Sequence, residues 1–263
     1  MKTMTELVRS LALAALAAGL TGAAASRLQA APRPFPSPDK AAAAAFRQAY
    51  GRAAPVSVQA DGHAMRAAPY ALITLAPGRE ALIVKETNGF DSHGAEAAAT
   101  VIYFSGAPGG SKVTGRFEHI AWAGENGGRD ASFQIRRDLG TDPIVLMRGQ
   151  TTFQGERRDD TAIIRLGPDK PLALGWINLL EDNQDDVSDH LISYRGEIIP
   201  AAAPAVLAVR YRGWTAASEK APHKPFNLIV PFTVRDGCIV PVQAVKLPDS
   251  ELSARLGPDC KAG

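Results

Sequence analysis

Glu181, Asn183, Asp185 and Asp189 stand at positions 1, 3, 5 and 9 of the stretch "EDNQDDVSDH". Five carboxylates lie between Glu181 and Asp189, and no Lys or Arg occurs between Lys170 and Arg195 to offset them. Calcium takes about six to eight oxygen ligands, and a loop supplies them by alternating side chains. The runs "LALGWINLL" and "HLISYRGEII" bracket the stretch and read as strands, so the oxygens would lie in a connection between them.

The spacing resembles the D-x-N-x-D-G-x-x-D calcium loops of secreted β proteins. On that resemblance one calcium ion is the cofactor, with Glu181, Asn183, Asp185 and Asp189 as ligands. Two positions depart from the pattern: Glu181 stands where Asp is usual, and Asp186 stands where a Gly makes the sharp turn. The EF-hand form fails, because position 12 is Ile192. A solvated acidic turn and a patch for a basic partner are the competing readings.

Other chemistry is thinly represented. No two of the five histidines lie close enough in sequence for a local zinc motif. Asp91 and His93 sit together in "NGFDSHG", where an Asp could orient a His as a base. The same residues also make an ordinary turn. Glu118 and His119 are adjacent on a predicted strand and so point to opposite faces. There is no G-x-S-x-G, and "GAPGGSK" lacks the Gly-Lys pair and following helix of a phosphate loop. Gln150, Thr152 and Gln154 alternate along one face of a predicted strand, suited to a sugar or peptide ligand or to water.

Residues 1–30 read as a signal peptide. Lys2 and Arg9 precede an apolar run from Leu11 to Ala25, and small residues offer cleavage after Ala25 or Ala30. No later stretch approaches membrane-spanning length, so no integral membrane segment is expected after signal removal. The formal charge of the chain is +2. The same surplus sits within residues 1–30, as Lys2, Arg9 and Arg27 against Glu6, so residues 31–263 balance to zero. That leaves no net field to attract nucleic acid. The expected location is the periplasm or the exterior.

An oxidising compartment favours pairing of the two cysteines, Cys238 and Cys260. The bond would close a loop of about 20 residues and stabilise the fold by ~3 kcal/mol.

Residues 31–38 read as a Pro-rich tether and 39–263 as a single β-rich domain. "SPDKAAAAAFRQAYG" predicts one early helix with Ser37 as N-cap and Gly51 as stop. After it come about a dozen short strands with turn signals at Pro77-Gly78 and Asp236-Gly237, and a short terminal helix over 249–256. No helices separate the strands, so the fold class is mainly β: an antiparallel sandwich or distorted barrel rather than a parallel sheet. A small β-propeller competes, without a detectable repeat to support it.

Two functions fit. The first is an exported, non-catalytic module that binds an unknown protein or small-molecule ligand, as inhibitor or scaffold. The second is a secreted hydrolase whose acids converge in space, from Asp91, His93, Glu118 and the 181–189 loop.

Overall fold

The computed structural model describes residues 39–60, 62–88, 96–106, 111–124, 131–153, 156–183 and 191–243. One helix, α1 (Lys40–Tyr50), opens the described chain. Asp39 rather than Ser37 is its N-cap: the carboxylate accepts the Ala42 N–H at 2.6 Å, at the positive end of the helix dipole. Gly51 ends it in the left-handed region, at φ 71°, and donates its N–H to the Arg47 carbonyl. Ala42, Ala45 and Phe46 form the buried face.

The remaining elements are strands. A five-stranded sheet contains β1 (Val56–Ala60), β2 (His63–Ala76), β3 (Arg79–Thr87), β4 (Ala97–Ser105) and β5 (Lys112–Ala123). An eight-stranded sheet contains β6 (Ser132–Arg136), β7 (Ile144–Phe153), β8 (Glu156–Leu166), β9 (Pro171–Asp182), β10 (Leu191–Ile199), β11 (Leu207–Ala216), β12 (Lys224–Arg235) and β13 (Cys238–Pro241). Within each sheet every strand pairs antiparallel with the next in the chain, so each is a plain meander. Pro77-Gly78 and Asp236-Gly237 form two of its turns; Asp236 and Gly237 both adopt positive φ, as a tight hairpin turn requires.

Sequence reading missed β1 and the first half of β2. β1 is only five residues long, and the start of β2, "HAMRAAP", is rich in alanine, which has weak strand propensity. Pro69 lies in β2 at a register shift, a place where a missing N–H costs no ladder bond. The predicted helix over 249–256 lies outside the described residues.

Apolar packing ties the sheets together. Ile73, Ile83, Val101 and Tyr103 of the smaller sheet meet Val145, Met147, Ile164 and Leu166 of the larger one. Tyr70 donates to the Phe133 carbonyl at 2.7 Å and Tyr103 to the Gly167 carbonyl at 2.9 Å across the same junction. Gly149 marks the closest approach: a Cβ there would stand 1.9 Å from the Gly124 nitrogen. On the other face of β7, Ile144 and Leu146 enter a second cluster with Leu179, Tyr194, Tyr211, Phe232 and Ile239. That strand is therefore apolar on both faces over 144–147. β13 also contacts β9, four places away in the strand order, so the larger sheet is curled. Helix α1 covers Leu82, Val84, Ile102 and Phe104 on the smaller sheet.

Candidate functional site

Two members of the predicted calcium set are described, and both are buried. Glu181, near the end of β9, has no exposed surface, and its Oε2 accepts the Tyr194 hydroxyl at 3.3 Å. Burial pushes the Tyr194 hydroxyl well above the ordinary tyrosine range, so it stays a donor. Asn183 accepts the Ile192 N–H on Oδ1 at 2.6 Å and donates its own N–H to the Ile192 carbonyl at 3.1 Å. The side chain thus completes the β9–β10 ladder where the strand ends. Asp185 and Asp189 lie outside the described residues, as do Asp91, His93, Gln154 and Cys260. Cys238 begins β13, opposite Arg235. Glu118 is exposed and sits 3.7 Å from the Arg116 guanidinium. Gln150 and Thr152 do lie on a strand, β7, opposite Asp159 and Arg157 of β8.

The β10–β11 pair carries a more telling arrangement. Its register places Ser193 opposite Trp214, Arg195 opposite Arg212 and Glu197 opposite Arg210. Alternation turns these six side chains to one face. They line an open groove of about 370 Å³. Arg210 is neutralised by Glu197 at 3.3 Å. Arg195 and Arg212 are exposed and make no ion pair among the described residues. Trp214 stacks flat on His223, with ring centroids 3.7 Å apart.

The groove has a firm base. Tyr194 and Tyr211 are buried and meet edge to face at 5.7 Å. Gly213 is needed between them and the surface: a Cβ there would come within 2.2 Å of the Ser193 carbonyl oxygen. The signal for this site was present in "VRYRGW", where Arg210, Arg212 and Trp214 alternate. Its second half, Arg195, is joined only by strand pairing.

A second cluster lies on the smaller sheet. Ala99 pairs with Ala121 and Val101 with Phe117, so Glu118, His119 and Ile120 bulge opposite Thr100 alone. His119 adopts a left-handed backbone, φ 50°, and donates its N–H to the Thr100 hydroxyl at 3.2 Å. Its ring crosses β4 and sets Nε2 2.8 Å from Oε2 of Glu86 on β3. The contact is short, yet Oε2 has no well-directed donor. Glu86 is 2% exposed, and burial raises its carboxyl above the usual range, against the opposing pull of the Thr100 hydroxyl and His119. Burial, and then the Glu86 charge, pushes the nearby Tyr50 hydroxyl up to about 12. The sequence expectation that Glu118 and His119 make no pair fits this geometry; the partner of His119 is Glu86.

Among the described residues no helix is long and apolar enough to cross a membrane, and no group of three or more His, Cys, Asp or Glu is placed to hold a metal. No family model matches the chain, and neither a curated protein nor a solved structure does.

Proposed function

We propose that this chain is an exported, non-catalytic β-rich binding module whose ligand carries negative charge. The observation that supports it is the opposition of Arg195 and Arg212 across β10 and β11 without an acidic partner among the described residues. Like charges directly opposite each other destabilise a sheet. An anion placed between the two guanidinium groups relieves that repulsion and gains bidentate, charge-assisted hydrogen bonds. Trp214 offers an apolar border, and Ser193 and Glu197 offer polar contacts for the rest of the ligand. The test is quenching of tryptophan fluorescence on titration with pyrophosphate and with a galacturonate oligomer, at low and high salt. Saturable, salt-sensitive quenching by either supports the reading; none by both opposes it.

The hydrolase alternative draws its support from the Glu86–His119 pair, an acid beside a base. The groove is preferred because its charges face solvent, whereas Glu86 is buried.

Export rests on the basic and apolar character of residues 1–30, and a mature N-terminus at Ser26 or Ala31 tests it. A Cys238–Cys260 bond would anchor the chain end to β13, and thiol titration of the unreduced protein tests it. The shared core of the two sheets and the curl of the larger one favour a sandwich with barrel-like curvature over a propeller. A calcium ion would depend chiefly on Asp185 and Asp189, because Glu181 and Asn183 already accept protein donors.

A further inference from the structure

We propose that Glu86 and His119 form a pH-sensitive latch that pins the edge strand β5 to β3 across β4 and is released by a second proton. Three observations converge on the pair. The carboxylate is almost wholly buried. The imidazole is 2.8 Å from it. The residue that delivers the imidazole holds a left-handed backbone that a non-glycine residue adopts only at a cost in energy.

The contact requires one proton between Oε2 and Nε2. That proton can sit on the carboxyl, donating to a bare Nε2, or on the ring, donating to the carboxylate. Either form sets a donor against an acceptor across the 2.8 Å contact. A second proton leaves an O–H facing an N–H, so neither atom has an acceptor and the pair parts. The ring has somewhere to go, because the His119 side chain is 21% exposed and an imidazolium is well hydrated.

The surroundings do not take over the proton. From α1, Tyr50 faces Glu86 with its hydroxyl held protonated. From β5, Arg116 lies over the Tyr50 ring at 4.4 Å and donates to the Ala49 carbonyl, and Glu118 is turned to solvent beside it. From β4, Thr100 presents a hydroxyl that does not titrate, and Trp122 lies 5.7 Å from the imidazole. Lys85, the chain neighbour of Glu86, is engaged with the Ala131 carbonyl. Releasing His119 frees the bulge from its tie to β3, while Phe117 and Ala121 on either side of it stay packed in the cluster shared by the two sheets. The expected change is local opening of β5 in acid without unfolding.

Amide hydrogen exchange of the mature protein, corrected for intrinsic rates, tests this. Protection of Glu118 to Trp122 should fall by about tenfold or more from about pH 7 to about pH 4.5, while that of Leu82 to Val84 on β3 stays constant. In Glu86→Gln the amide can donate to a neutral ring or accept from a charged one, so the pH dependence of β5 should vanish. His119→Gly suits the left-handed backbone and keeps the fold in play; it should show weak, pH-independent protection. Wild-type protection that ignores pH, or the same acid loss in either variant, overturns the latch.

Discussion

Arg195 and Arg212 stand directly opposite each other on neighbouring strands, while the carboxylate in the same groove, Glu197, is paired with Arg210. A sheet selected for stability alone would place an acid or a small polar residue at one of the two positions. Arg212→Ser should therefore raise stability, by roughly 0.2–1 kcal/mol, while weakening anion binding. Urea denaturation measures the first effect. A clear loss of stability would mean that the Arg212 stem is needed for packing and that the repulsion is of no consequence.

Glu86 makes a prediction about pH. Its folded-state pKa is raised above the ordinary value by burial. The one proton the pair shares is thus held above the unfolded carboxyl value, and the stability it brings is lost as pH rises through the folded one, while the second proton, which parts the pair, removes it again in acid. Relative to Glu86→Gln, the wild type should be most stable at mildly acid pH, about 6, and should lose that margin both towards about pH 8 and towards about pH 4.5. Urea midpoints of the two proteins at the three pH values check this; a difference that is constant, or that is greatest at either end, contradicts it.

Gly149 should not tolerate a side chain. A Cβ would meet the Gly124 backbone at 1.9 Å, and neither chain can yield without parting the two sheets. Gly149→Ala should cost about 3 kcal/mol or more, at the upper end of overpacking effects. Thermal unfolding of the variant reads this directly, and a change below about 1 kcal/mol would mean that the two backbones are further apart.

The strands were largely legible in the sequence, because runs such as "PIVLMRG" and "FNLIVPF" are apolar, β-branched and bounded by turn residues. The five-residue β1, "VSVQA", was not, because it is too short to show a period, and neither was the Ala-rich start of β2, since alanine carries little strand preference. The groove was half legible. Alternation alone puts Arg210, Arg212 and Trp214 on one face, but the approach of Arg195 depends on the β10–β11 register. The Glu86–His119 contact was hidden, because it joins residues far apart through a bulge that changes where His119 points. Local periodicity does not encode that.

The loop after β9 gives a separate test. If calcium binds, it should raise the wild-type melting temperature over a chelator control at matched ionic strength, by mass action on the native state. Asp185→Ala should abolish the rise. No rise in the wild type leaves a solvated acidic turn, and an equal rise in the variant assigns the ion to other ligands.

The central claim is that the Arg195–Arg212 face is an anion-binding groove, and isothermal titration of the protein tests it most directly. Pyrophosphate and a galacturonate oligomer should be titrated into the wild type and into Arg195→Ala and Arg212→Ala at low ionic strength. Each variant should lose about 1.5–3 kcal/mol of binding, roughly tenfold or more in Kd, with its fold unchanged by circular dichroism. Binding of equal strength in the wild type and both variants would contradict the account, and so would the absence of any binding to the wild type.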